Sequence, residues 1–463
     1  MAKGLVSDTS LTAIGNAIRA KNGSSDTYRP SEMAGAIEAI STVDEESALQ
    51  YMLNHKTNYT GIAAGLTTLT SLPEFTQPSD TLYYTSAFSG CSSLTSVSGL
   101  YLAQNETSET PTRTRFRVSS MFDGCSNLTS IPTFGDYALY VGEDGANYMF
   151  RGCSKIVDIN LPAKFLSFGS RYPAESIFDG CTKCVNFFKS YNGHANYILN
   201  CIPGRLARAF NGCSSLVSIY LDDTISGSFV RFGDRTSSNS FLYTFNRCSK
   251  LERIELADGK TEIYFNPSTM ENMFSGCTRL VSLPTLVPLN SSPCSAASAF
   301  YNCSKIVTVL FGSPLKVSLA GSMFYQCSKL ETVSGVDFSN CISVIAIFAG
   351  CVQLDSLPFN PGDLALVTDF RRMCDGCTSL TTVPVFSMAS CSGTTNHQNM
   401  FANCPNLTNA SLNNILAALT TKGQSGSTNK TLKYVGLSST QATTCTGLSN
   451  WTACQAAGWT TGY

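Results

Sequence analysis

The chain has 463 residues, 14% of them charged, a formal net charge of −1 at pH 7, 20 cysteines and 3 histidines. Near-neutrality and the lack of a long basic run argue against nucleic acid and anionic membranes as partners. No stretch of about 18 apolar residues could span a bilayer, and the opening Met1-Ala2-Lys3-Gly4-Leu5-Val6-Ser7-Asp8 lacks the apolar core of a secretory signal. The cysteines are therefore expected as thiols made in a reducing compartment.

Residues 1–41 read as a helical hairpin. Leu11, Ile14 and Ile18 share one helical face, and Asn22-Gly23 ends that helix. Pro30-Ser31 opens a second helix with Met33, Ile37 and Ile40 on one face. A pair this short cannot hold a core alone, so its six apolar residues are expected to bury against another protein. Residues 42–60 read as a linker.

From 61 to 410 one motif recurs with minor departures: Phe-x-(Gly/Asn/Arg/Gln)-Cys-(Ser/Thr)-x-(Leu/Ile)-x-x-(Ile/Leu/Val). Its cysteines are Cys91, Cys125, Cys153, Cys181, Cys213, Cys248, Cys277, Cys303, Cys327, Cys351, Cys377 and Cys404, at intervals of 24 to 35 residues. Such self-similarity is the signature of a solenoid. In the copy around Cys125, the spacing of Phe122, Cys125 and Leu128 predicts a short helical turn. Leu128 to Ile131 then enters a strand. Gly124 suits a tight turn or a close backbone approach. Pro132, Pro284, Pro358 and Pro384 are expected to stop that strand and start a loop. A second strand precedes several copies, as at Phe165–Phe168 and Thr261–Phe265. A further copy, Gly65 to Leu72, places Leu66 at the cysteine position, so that position asks for a buried apolar group, and free cysteine serves as one. The predicted class is an α/β repeat solenoid of about 13 coils, about 60 Å long at the usual strand spacing.

The early coils are longer, with extra residues near 100–117, 186–206 and 222–241. Insertions in repeats collect on one side, often the binding side. Tyr191, His194, Tyr197 and Arg205 in one insertion, and Arg231 and Arg235 in another, are the candidate receptor contacts; the plain alternative is that these are ordinary variable loops. Residues 411–463 read as an atypical cap. In it Leu412, Ile415, Leu416 and Leu419 form a helix closed near Gly423, and Thr431 to Leu437 form a strand. A last helix and a strand at Gly458-Trp459-Thr460 complete the cap.

Little in the chain suggests chemistry. Cys181/Cys184 and Cys374/Cys377 have the spacing of half a zinc site or a redox pair, but Cys184 takes the motif leucine and Cys374 the motif phenylalanine. Both therefore read as core substitutions. His55, His194 and His397 are scattered, so no serine or cysteine has an evident base. No phosphate loop, dinucleotide fingerprint or calcium loop is present. No catalytic residue, metal or cofactor is predicted. Whether Cys445 and Cys454 are bridged stays open.

The copy Met121-Phe122-Asp123-Gly124-Cys125-Ser126-Asn127-Leu128-Thr129-Ser130-Ile131-Pro132 resembles the BspA-like leucine-rich repeats of bacterial surface and bacteriophage proteins. Leu11 to Lys21 and Tyr28 to Ile37 are similar to a short element of phage tail and virion proteins, and Thr431-Leu432, Gly436-Leu437 and Gly458-Trp459-Thr460 resemble the end of the same proteins. The combination implies a non-enzymatic virion protein, assembled in the host cytoplasm. Residues 1–41 would join other virion proteins, and the solenoid would contact a host glycan or protein. A homo-oligomer is compatible, though no coiled-coil heptads enforce one. The rivals are a particle-stabilising protein, a bacterial surface adhesin and, least favoured, a glycan-degrading enzyme.

Overall fold

The structure, a computed structural model, describes residues 45–78, 81–102, 116–134, 145–161, 174–188, 197–199, 206–222, 230–232, 239–257, 259–360, 362–422 and 429–463. The hairpin expected over residues 1–41 and the strand expected at 165–168 lie outside them.

The repeat motif is not helical. Each copy is a ribbon of successive tight turns whose hydrogen bonds alternate in direction. Around Cys91, the N–H groups of Ala87, Ser89 and Cys91 donate to carbonyls three residues back, at 3.0–3.2 Å. Those of Ser86, Phe88 and Gly90 donate instead to Ser119, Met121 and Asp123 of the next coil, at 2.7–2.9 Å. An α-helix would direct every N–H back along its own chain. Here half of them join adjacent coils.

The alternation needs left-handed backbone twice per copy. Ser86 has φ 53° and Gly90 φ 76°, and the same two positions, five and one before the cysteine, are left-handed at all twelve repeat cysteines. A Cβ at Gly124 would meet nothing closer than the Gly90 Cα at 3.7 Å, so the dihedral, not crowding, favours glycine there. Gly61 (φ 62°) and Gly65 (φ 80°) repeat the pattern ahead of Leu66, and Gly61, Ala63 and Gly65 donate to Thr85, Ala87 and Ser89. The copy without cysteine thus has the same turn geometry.

Three sets of short parallel strands connect the turns. The first begins five residues after the cysteine. In it Asp158–Leu161 pairs with Asn186–Phe188, and Ser218–Asp222 with Arg253–Leu256. The second joins Val230–Phe232, Glu262–Phe265 and Thr285–Pro288. The third joins Asn239–Ser240, Pro267–Thr269 and Cys294–Ser295. The strand Thr308–Leu319 passes through all three, pairing with Thr332–Asp337 at residues 308–310 and 315–316 and reaching Leu286 through Phe311 and Cys294 through Val317. Strands Thr133–Phe134 and Thr285–Pro288 start directly after Pro132 and Pro284. No strand forms over residues 128–131 or 280–283, so these prolines precede a strand instead of ending one and opening a loop.

Repetition in register builds the core. Phe88, Phe122, Phe150, Phe178, Phe210, Phe245, Phe274, Phe300, Phe324 and Phe348 form one ladder, with successive centroids 5.3–6.1 Å apart. Each contact contributes about 0.5–1.5 kcal/mol beyond burial. The ladder stops at Cys374, and Phe348 leans on Phe359 instead, at 6.0 Å.

The cysteine position is more than an apolar slot. Its Sγ–H donates to the carbonyl of the repeat phenylalanine one coil earlier: Cys125 to Phe88 at 3.0 Å, Cys303 to Phe274 at 3.1 Å, Cys327 to Phe300 at 3.0 Å. That carbonyl already accepts one N–H in its own coil, as Phe88 does from Cys91 at 3.2 Å. The thiol fills the second lone pair. Leu66 can replace the bulk but not this bond.

Both ends of the array are covered. Residues 45–55, inside the stretch expected as a linker, form a helix whose Leu49 and Leu53 are buried in the same core as Tyr59 and Ala63. At the other end the helix Asn409–Thr421 buries Leu412, Ile415, Leu416 and Leu419 and is capped by the Thr408 side chain. Residues 431–437 are not the expected strand. Thr431 makes one bridge to Thr460, then Leu432–Val435 forms a helical turn closed by Gly436 at φ 99°. The reason lies in the last coil: Asn399 and Phe401 donate to the Tyr434 and Val435 carbonyls at 2.8 and 3.0 Å. The short turn accepts the bonds that a further coil would have accepted. A Cβ at Gly436 would sit 2.5 Å from the Ala402 nitrogen, so only glycine permits this approach. Cys445 and Cys454 are separate, buried thiols.

Candidate binding face

The six predicted anchor residues, and Tyr191, His194, Arg205 and Arg235, lie outside the described residues. Tyr197 pairs with Tyr220 in the first strand set, and Arg231 with Tyr264 in the second. The structure thus places Tyr197 and Arg231 in different strand sets and does not bring them together.

One row of side chains carries no sequence motif. In each turn the residues three and four before the cysteine point inward, as the buried Phe150 and Met149 do, and in most turns the residue two before it faces outward, as the exposed Arg151 does; Ser275 and Ala349 are the buried exceptions. Stacking the coils aligns these outward residues. The Arg151 guanidinium clasps the Asp123 carboxylate, with Nε donating at 2.7 Å. Asn211 Nδ2 donates to Asp179 at 2.7 Å, and Asn246 Nδ2 to Asn211 at 2.8 Å. Further along, the rings of Tyr301 and Tyr325 stack at 4.9 Å. The position five before the cysteine adds a parallel row. There the Arg151 guanidinium lies 4.4 Å from the Tyr148 centroid, and Arg208 lies 4.8 Å from that of Tyr243, both cation–π distances.

The electrostatics of this face are internally balanced. Burial raises the Asp179 carboxyl above its ordinary range, opposed by the Asn211 hydrogen bond and by Arg208 and Arg151. Asp123 raises the Arg151 guanidinium by direct hydrogen bonding. Beside the row runs a hydroxyl ladder: Thr182 donates to the Ser154 carbonyl at 3.3 Å, Ser214 to Thr182 at 3.2 Å and Ser328 to Ser304 at 3.1 Å. This is why the motif carries serine or threonine after its cysteine.

The family model for the BspA type leucine rich repeat region matches six copies, over residues 60–187, 117–225 and 242–366. The chain belongs to the BspA-type leucine-rich-repeat family. A crystal structure of a leucine-rich repeat protein from Bacteroides ovatus is similar over 71% of this chain and 75% of that one, at 21% identity and a TM-score of 0.35. The crystal structure of a TLR13–ssRNA13 complex is similar over 69% of this chain and 46% of that one, at 16% identity and a TM-score of 0.24. The search of curated proteins gave no match.

In this BspA-type array the paired cysteines are core residues. Cys181, Cys184, Cys374 and Cys377 are fully buried. Burial pushes the Cys184 thiol to about 12 and takes Cys181 and Cys374 well above the ordinary range. A thiol so raised is a poor nucleophile and metal ligand. Among the described residues no group of three His, Cys, Asp or Glu side chains could hold a metal, and no helix is long and apolar enough to cross a membrane.

Proposed function

We propose that this protein is a surface-binding repeat protein of a bacteriophage particle. Residues 1–41 hold it on other virion proteins, and the outward rows of the array attach to the host surface. The observation that carries the binding role is the turn face, a hydrogen-bonded row from Asp123 to Asn246 with the Tyr301–Tyr325 stack beyond the buried Ser275. Most coils add one outward polar or aromatic side chain to it, so contact energy accumulates along a line instead of in a pocket. Broad surfaces of this kind bind through a few aromatic or arginine anchors, and Tyr301, Tyr325 and Arg208 fit that role. The virion assignment rests on the likeness of residues 11–37 and of the chain end to phage proteins.

The test is binding of the purified full-length chain to candidate host cells, in competition with particles. Saturable binding that blocks adsorption is the expected result. A chain that joins particles but neither binds cells nor blocks adsorption would make it a particle-stabilising protein. Binding to bacterial cells with no uptake into particles would favour a surface adhesin.

A further inference from the structure

We infer that the turn face binds an extended, uncharged polysaccharide lying along the solenoid axis, about one sugar per coil. This rests on the surface-binding reading above and specifies its ligand class. Three observations point to it.

The first is spacing. Equivalent groups on successive coils recur at 4.9 Å for Tyr301 and Tyr325, and at 5.3–5.5 Å for the Phe210 to Phe348 part of the ladder. An extended chain of equatorially linked pyranose rings advances by nearly the same step. Such a ligand can repeat one contact on every coil without strain, whereas an extended peptide alternates its side chains and advances faster per pair.

The second is charge. Asp123 is paired with Arg151, Asp179 lies between Arg151 and Arg208, and Asp375 accepts from Arg372 at 3.0 Å. Arg208 and Arg247 are exposed without an ion pair among the described residues, but Asp123, Asp179 and Asp375 nearly match the four guanidinium groups along these rows in number, so the rows carry little net charge to draw in a polyanion.

The third is hydrogen-bonding capacity. Tyr148, Tyr243, Tyr301 and Tyr325 are at least partly exposed, and their described interactions are ring contacts. These hydroxyls, with the side-chain amides of Asn211 and Asn246 in the neighbouring row, suit a hydroxyl-rich ligand that both donates and accepts.

The experiment measures the affinity of the full-length protein for neutral oligosaccharide ladders of glucose, galactose, mannose and rhamnose, each from two to eight sugars, with heparin fragments as the polyanion. The expected result is that at least one neutral ladder binds, with affinity rising tenfold or more between two and six sugars. Tyr301→Ala/Tyr325→Ala should weaken binding at least tenfold. Tyr301→Phe/Tyr325→Phe, which keeps the ring stack, should weaken it severalfold at an unchanged unfolding midpoint. Length-independent binding, preference for heparin, or no neutral ladder bound overturns the inference. If host cells are still bound in that case, the surface-binding reading survives; if they are not, both fail.

Discussion

Phe300 in the middle of the array and Trp459 in the cap are both buried aromatics, held by different means. Phe300 stacks on its own equivalents in both neighbouring coils, at 5.5 and 5.3 Å. Its surroundings are copies of itself. Trp459 meets His397 edge-on at 5.4 Å, and its indole N–H donates to the Leu419 carbonyl at 3.2 Å. Each of its partners occurs once. His397 is fully buried, with Nε2 3.1 Å from the Asn429 carbonyl and Nδ1 without a partner. In a repeated core a loss falls on the two adjacent interfaces and can divide the array there, whereas a cap built from single contacts depends on each of them.

The largest effect is expected in the array. Phe300→Ala removes two ring stacks and leaves a cavity, at a cost of about 3–5 kcal/mol. Urea denaturation should show it, with the transition separating into segments on either side. If the loss is under about 1 kcal/mol, the ladder is not the core of the array.

The cap should respond to pH instead. Burial lowers His397 from 6.5 to about 4, against the smaller opposing effect of its backbone hydrogen bond, with Lys422 lowering it further. A base whose folded value is depressed stabilises the fold above its unfolded value, and that contribution is lost as pH falls from 6.5 towards 4. The loss amounts to about 3 kcal/mol. Lys422, itself lowered by burial, donates to the Gly393 carbonyl at 3.2 Å, so a second cation already lies in this region. Hydrogen exchange at pH 7 and pH 4.5 should show the cap opening while residues 274–348 stay protected. His397→Gln should flatten that dependence, and equal exposure of both regions would defeat the comparison.

A smaller effect tests the thiol ladder. Cys303→Ala loses the sulfur and its bond to the Phe274 carbonyl, for about 1–2 kcal/mol. In the intact protein a thiol reagent should label none of the twelve repeat cysteines until urea unfolds them. The smallest effect has the opposite sign. Gln326 stands at φ 60° where most copies carry glycine. Gln326→Gly should raise stability by about 0.5–1 kcal/mol, the relief of left-handed backbone exceeding glycine's extra chain entropy.

Much of the fold was legible because repetition multiplies a weak signal. Phe122, Cys125 and Leu128 are no more than a three-residue spacing, but twelve copies in one frame identify an inward layer, and all twelve cysteines are buried. The same spacing misled about local structure. Residues three apart share a face in a helix and also in a ribbon of tight turns, and only the bonds from Ser86, Phe88 and Gly90 to the next coil separate the two. The stretch 431–437 was misread for a related reason: its alternating residues suit a strand, but the open N–H groups of Asn399 and Phe401 require a turn. The binding face was missed because Asp123, Arg151, Asp179, Asn211 and Asn246 share no residue type, so no motif marks them.

The sequence by itself determined the coil boundaries, the apolar layer and the class of solenoid, because a periodic inward pattern can be buried only by stacking. Tertiary structure alone decided that the turns are not helical, that the thiols donate to the preceding coil, and that dissimilar side chains line up on one face. Those features depend on contacts between residues 24 or more positions apart, which no local pattern encodes.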